Sequence, residues 1–138
     1  MNEPSENKRI LFVGLNTVDL QFIVDQYPLA NSKTKALKNQ ILVGGPATNA
    51  AVTCAFLGSK TDLYTPVGRH TFSGFIAEDL SQHGVRLIDP IAHAPGKPVF
   101  ASIVTSQQNG DRTVLSYHPE TDWDIQPVQK IDISKYSL

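Results

Sequence analysis

A pair of glycines at the mouth of a short apolar helix most restricts how this chain can fold. Residues 43–58 read Val-Gly-Gly-Pro-Ala-Thr-Asn-Ala-Ala-Val-Thr-Cys-Ala-Phe-Leu-Gly. Glycine adopts backbone angles closed to other residues, and proline suits the first helical position. The run predicts a helix that ends near Gly58 and is buried because it is apolar nearly all round. The first amides of a helix lack partners within it, so the N-terminal end of this helix favours a polar or anionic ligand. The side chain of Asn49 adds a hydrogen-bond donor and an acceptor there. Glycine before a helix is also ordinary entry chemistry, and this motif alone leaves both interpretations open.

The composition excludes several classes of protein. The chain has 138 residues, of which 41% are hydrophobic and 18% charged, enough for one domain with a core. A net charge of −1 predicts no nucleic-acid partner and no membrane surface. The single cysteine excludes a disulfide framework, and the four histidines have no metal-ligand spacing. We expect a cytoplasmic protein without a metal site, whose polar residues 1–9 form a disordered N-terminus rather than a signal peptide.

The first apolar run predicts a strand with polar side chains at its end. Residues 10–15 read Ile-Leu-Phe-Val-Gly-Leu, which is typical of a strand buried on both faces in a parallel α/β sheet. Asn16, Thr17 and Asp19 follow it, at the sheet edge where such folds bind ligands. A carboxylate there accepts hydrogen bonds from two neighbouring hydroxyls, as sugar binding requires. The alternative is that Asp19 opens a turn or caps a helix before an extended stretch over 20–27.

Predicted strands and helices alternate up to about residue 95, and beyond it only strands are predicted. Strands are predicted at about 35–43, 60–67 and 85–91, with a helix over about 73–83 that ends at Gly84. This order points to βαβ units and a parallel sheet. From residue 95 the segments 99–105 and 112–118 have the signature of a hairpin, which we assign to a separate small sheet.

From Ile10 onward the chain resembles the N-terminal half of a PfkB, or ribokinase-like, carbohydrate kinase, and most of all the fructokinase and ketohexokinase branch. Four stretches carry the resemblance. They are the strand from Ile10 to Asp19, the run from Gly44 to Gly58, the segment 67–85 with its Leu-x-x-x-Gly-Val ending, and the segment 98–117 with Asn-Gly-Asp-Arg-Thr in its turn. Pro46, which has no donor, and Arg69-His70, where members often have acidic residues, depart from the family pattern.

The resemblance implies a ribokinase-like α/β fold, a partial three-layer α/β sandwich with a small β-sheet lid. Residues 10–138 would form the N-terminal part of the kinase domain, with lid segments at about 17–27, 35–43 and 97–118. The lid would cover a sugar, with a ketose such as fructose favoured, and two lids would pair in a homodimer. The positions that correspond to sugar contacts are Asp19, Gly44, Gly45, Asn49 and Ala101.

One family signature is absent from these 138 residues. No Asp-x-x-Gly-Ala-Gly-Asp run occurs, and no phosphate-binding loop replaces it. In the family that run supplies the catalytic base and the anion hole, so the resemblance implies a truncated or partial member whose base lies beyond residue 138. ATP and Mg²⁺ are implied cofactors whose binding residues are absent. Three hypotheses remain. The first is the sugar-binding half of a carbohydrate kinase, which we expect to be inactive alone. The second is a non-catalytic remnant that pairs through its sheet or binds sugar, and the third and least supported is a nucleotide-binding domain.

Overall fold

The structure is a computed structural model that describes residues 9–119 and 131–136. A disordered N-terminus is expected over residues 1–9, of which residues 1–8 lie outside the described residues. Arg9 departs from that expectation, because it forms a bridge with Tyr136 and hydrogen bonds with Asp62. The elements in chain order are β1 (Ile10–Val13), β2 (Thr17–Val24), β3 (Lys38–Gly44), α1 (Pro46–Phe56), β4 (Thr61–Tyr64), α2 (Ser73–Gln82), β5 (Val85–Ile88), β6 (Phe100–Ser106) and β7 (Arg112–Tyr117), with a 3₁₀ turn at Ile133–Lys135.

Three strands form the parallel core sheet in the order β1-β4-β5. Both helices pack on the face that carries Leu63, where Ala51 of α1 and Ile76 and Leu80 of α2 are buried in one cluster. The predicted parallel α/β arrangement is therefore confirmed. The described residues supply two of the three expected layers, the core sheet and the helices on one face of it.

The other face of the core sheet carries a buried charge network around Asp62. Its side chain is fully buried, and Arg9 and Arg86 donate hydrogen bonds to its carboxylate. Tyr136 Oη donates to Asp62 Oδ2 at 3.0 Å. Burial raises the pKa of Asp62, but the hydrogen bonds from Arg86, Arg9 and Tyr136 outweigh it, and the pKa lies below its ordinary value. The network ties the three core strands to Tyr136, which also forms a parallel bridge with Arg9.

The second sheet has four strands in the order β3-β2-β6-β7, and we call it the four-stranded sheet. β2 pairs antiparallel with β3 and parallel with β6, and β6 pairs antiparallel with β7. The predicted hairpin is thus confirmed, with Gly110 at φ +77° in its turn. All four strands fall close to the segments expected to build a lid. β2 differs from the expected 20–27, since it begins at Thr17 and ends at Val24.

The expectation that α1 is buried all round is wrong for the described residues. Thr48 and Ala51 are its buried residues, whereas Phe56 is 88% exposed and Leu57, just after the helix, is 76% exposed. One side of α1 rests on the core sheet, and no other described element covers the opposite side. Apolar composition shows which residues tolerate burial, but only the surrounding elements decide which of them are buried.

Candidate functional site

Asp19 is the third residue of β2, so it lies inside a strand and not at a turn or a helix start. Thr17 Oγ1 donates a hydrogen bond to Asp19 Oδ1 at 2.6 Å. Residues two apart in a strand share a face, so the hydroxyl is positioned to hold the carboxylate. Sequence analysis noted Thr17 but missed this role, although the Thr-x-Asp spacing within a strand was a readable signal.

Gly44 leaves the space that the Asp19 carboxylate fills. Gly44 pairs with Thr17 across β2 and β3. A Cβ built on Gly44 would collide with Asp19 Oδ2 and would lie 2.8 Å from Asp19 Cγ. The missing side chain of Gly44, and not its backbone freedom, therefore makes room for the Asp19 carboxylate in this position. The contact brings together two of the residues that sequence analysis assigned to sugar binding.

Ala101 belongs to the same row across the four-stranded sheet. Asp19 is in register with Leu42 on β3 and with Ala101 on β6, and Ala101 is in register with Ser116 on β7. Side chains in register point to the same face of a sheet. Ala101 is 7% exposed and Ser116 is exposed. Because alanine has a small side chain, Ala101 leaves space beside the Asp19 carboxylate on the β6 side.

Gly45 joins the four-stranded sheet to α1 in a conformation that favours glycine. Its φ is +100°, and a Cβ there would lie 2.6 Å from Leu15 O. Asn49 N donates to Gly45 O at 2.9 Å, and the Asn49 side chain is exposed one turn into the helix. Pro46 occupies the first helical position, as predicted. The start of α1 therefore packs directly on the segment between β1 and β2.

Several buried polar atoms near the carboxyl ends of β1 and β4 have no hydrogen-bond partner among the described residues. Asn16 Nδ2 lies after β1, Tyr64 Oη belongs to the last residue of β4, and Thr65 Oγ1 comes directly after that strand. Burial and the charge of Asp89 both raise the pKa of Tyr64. A buried polar atom without a partner costs about 1–3 kcal/mol, so a water or a ligand that bonds to these atoms would stabilise the fold. Sequence analysis placed Asn16 at this edge but did not predict its burial.

A close backbone contact joins the core to the four-stranded sheet near Gly68 and Gly96. A Cβ on Gly68, whose φ is +68°, would lie 2.8 Å from Gly96 Cα. Asp89, just after β5, accepts hydrogen bonds from Val67 N at 3.1 Å and Gly68 N at 2.9 Å. Sequence analysis missed this junction, because its residues are more than twenty positions apart.

The described ranges contain neither a cluster of metal-ligating side chains nor a membrane-spanning helix. Within them no group of three or more His, Cys, Asp or Glu residues is placed to hold a metal ion. No helix in residues 9–119 or 131–136 is both long enough and apolar enough to cross a membrane. The arrangement around Asp19 is a carboxylate acceptor flanked by small residues, and it suits a ligand with several hydroxyl groups.

Comparison with known proteins gives a family match over most of the chain. Residues 7–136 match the pattern of the pfkB family carbohydrate kinases. The chain is 25% identical to ketohexokinase of Mus musculus over 132 residues, which is 95% of this chain and 44% of that protein. The chain thus spans less than half the length of this curated relative.

Solved structures share the fold. A putative ribokinase from Agrobacterium tumefaciens superposes with a TM-score of 0.72 at 22% identity, over 81% of this chain and 36% of that one. Ribokinase from Arabidopsis thaliana, solved with ribose and ATP, superposes with a TM-score of 0.58 at 21% identity, over 80% of this chain and 36% of that one. The described elements therefore have a ribokinase-like arrangement.

Proposed function

The chain belongs to the pfkB family of carbohydrate kinases, and from that premise we propose that it forms the sugar-binding half of an ATP-dependent kinase. The observation that carries the proposal is the Asp19 carboxylate, which Thr17 holds by one oxygen and beside which Gly44 leaves space. The four-stranded sheet would act as the lid over the sugar. The residues that we assign to sugar contacts are Asp19, Gly44, Gly45, Asn49 and Ala101.

In this proposal the chain binds and orients a sugar for phosphoryl transfer. Asp19 accepts hydrogen bonds from two neighbouring hydroxyls and fixes the ring, while the start of α1 offers amide donors. ATP with Mg²⁺ supplies the phosphoryl group when bound. The residues of this chain do not fit that group, because the sequence has neither the Asp-x-x-Gly-Ala-Gly-Asp run nor a phosphate-binding loop.

The sugar class that we propose is a ketose of the fructose type. The likeness to a ketohexokinase supports a ketose. Pro46 has no amide donor, so the start of the helix offers one hydrogen bond fewer than another residue would provide there. A pentose such as ribose is the competing substrate, since one solved neighbour was crystallised with ribose.

Calorimetry with fructose and with ribose tests sugar binding. Asp19→Asn keeps the shape but removes the charge, and we expect affinity to fall about 10- to 100-fold, since a hydrogen bond to a charged group contributes about 1.5–3 kcal/mol. Asp25→Asn, at an exposed carboxylate just after β2, is the matched control and should bind as the parent does. Equal affinity of the parent and Asp19→Asn would remove Asp19 from the site.

A second candidate is a non-catalytic module, favoured by the exposed apolar side chains of the four-stranded sheet. A coupled ADP-release assay with sugar, ATP and Mg²⁺ separates it from a complete kinase. We expect no turnover from the 138-residue chain, because phosphoryl transfer needs a base, a held nucleotide and positioned donors together. Turnover that follows the purified chain and disappears in Asp19→Asn would mean that a residue of this chain serves as the base.

A further inference from the structure

The loop between β4 and α2 carries a histidine whose ring accepts a main-chain hydrogen bond. Phe72 N donates to His70 Nδ1 at 3.1 Å. Because an amide N–H only donates, Nδ1 must be unprotonated, which places the proton of the neutral ring on Nε2. Phe72 is the residue that precedes the first turn of α2. His70 thus takes the role that Asn or Asp usually has, accepting the amide two residues later.

Phe72 is also a contact between the core and the four-stranded sheet. Its ring meets that of Phe100 edge to face, with centroids 5.3 Å apart and planes at 88°. Phe100 is the first residue of β6, and the next residue, Ala101, lies in register with Asp19. The conformation of residues 70–72 therefore helps to fix the position of the first residue of β6, the strand that lies beside the candidate sugar site.

We propose that neutral His70 is a positioning residue for the four-stranded sheet, and that protonation of its ring releases Phe72 and loosens the start of β6. Protonation converts Nδ1 from an acceptor into a donor that faces the Phe72 N–H, so the hydrogen bond is lost. Phe72, the partner of Phe100 in the edge-to-face contact, then keeps its carbonyl hydrogen bond with Ile76 N but loses the one that its amide makes. This inference goes beyond the sugar site and does not depend on it, because it concerns the seating of the sheet without a ligand.

The surroundings of the ring favour the neutral form. Burial lowers the pKa of His70, the charge of Asp89 opposes this, and the net pKa lies below the ordinary value of 6.5. Arg69, His93 and Lys97 on the flanking segments are exposed. Because the pKa is lower in the folded chain, the stabilisation is complete above the unfolded value and is lost as pH falls through the folded one.

Amide hydrogen exchange measured by NMR on the whole chain without sugar tests the proposal. The protection of backbone amides against exchange is compared at pH of about 7.5 and about 5, above and below the pH range in which histidine side chains usually titrate. His70→Asn retains an acceptor two residues before the same amide but does not titrate, and His70→Ala has no acceptor. His83→Asn, at an exposed histidine after α2, is the matched control.

We expect protection of Phe72 and of the β6 amides in the parent to fall about fivefold on acidification, as for the loss of one hydrogen bond. His70→Asn should stay protected at both pH values, His70→Ala should be less protected at both, and His83→Asn should behave as the parent does. An equal fall in the parent and in His70→Asn, or no fall in the parent, overturns the proposal. If His70→Ala does not fold, the parent and His70→Asn decide the result.

Discussion

At the scale of single residues, the Asp19 carboxylate depends on a side chain that is missing from its neighbour. Gly44 does not adopt a left-handed conformation, so alanine is compatible with its backbone, and the collision with Asp19 is the main cost. Gly45, by contrast, combines a positive φ with a close approach to Leu15 O. The two adjacent glycines are thus required for different reasons, which a sequence pattern does not distinguish.

Gly44→Ala should lower the free energy of unfolding by about 1–3 kcal/mol, the usual cost of an added methyl group in a packed site, and should weaken sugar binding by displacing Asp19. Urea unfolding gives the first quantity and calorimetry the second. Gly74→Ala is the matched control, because Gly74 lies in α2 with nothing within 4 Å of a built Cβ. That control should be stabilised by up to about 1 kcal/mol. Equal stability of Gly44→Ala and the parent would contradict the packing argument.

At the scale of elements, the Asp62 network holds the core strands where no described helix covers them. Arg9 precedes β1 and Arg86 lies on β5, so one carboxylate on the central strand connects both neighbours. Two guanidinium partners offset the cost of burying a carboxylate. Removing the carboxylate charge leaves both guanidinium groups without that partner. Arg86 is more than half exposed, which limits that loss because water can replace the partner.

Asp62→Asn should therefore lower the free energy of unfolding by about 2–3 kcal/mol, below the usual cost of breaking a fully buried pair. The folded pKa of Asp62 is lowered, so its stabilisation is complete above the unfolded value of 3.8 and is lost as pH falls through the folded value. Urea unfolding as a function of pH measures both effects. Asp132→Asn, at an exposed carboxylate, should leave the urea midpoint nearly unchanged. A similar loss in both variants would argue against the network.

At the scale of the whole molecule, the four-stranded sheet presents apolar side chains that the described residues leave uncovered. The strand register puts Phe22, Ile41, Leu115 and Tyr117 on one face, and each is at least 36% exposed. A grouping of this kind on a sheet is typical of an interface. The homodimer expected from the family resemblance would bury this face, and it remains a prediction.

Leu115→Lys should convert a dimer to a monomer in sedimentation velocity, because a buried charge without a partner disfavours association. Leu57→Lys is the control, because Leu57 is similarly exposed but lies at the end of α1 and not in a strand of the four-stranded sheet. It should leave the dimer intact. A parent chain that stays monomeric at high micromolar concentration, or equal dissociation of the two variants, would remove this face as the interface.

The sequence by itself determined the elements and most of their order. The continuous apolar run of β1, the glycine-proline start of α1 and the turn at Gly110 are local signals, and each formed the predicted type of element. The expectation that β1 is buried on both faces is wrong for the described residues, since β1 is an edge strand and Val13 is 52% exposed. The family was also readable, because its motifs depend on short spacings along the chain. Asp19 and Gly44 could be named from those motifs, although their assignment to a sugar stays a prediction.

Only the tertiary structure decided which distant groups meet. The contact of Gly44 with the Asp19 carboxylate, the network around Asp62 and the approach of Gly68 to Gly96 each join residues far apart in sequence. The burial of α1 was mispredicted for the same reason, since its neighbours and not its composition set its exposure. Local patterns report the conformation that a segment prefers, whereas packing and pairing between segments depend on the three-dimensional arrangement of the whole chain.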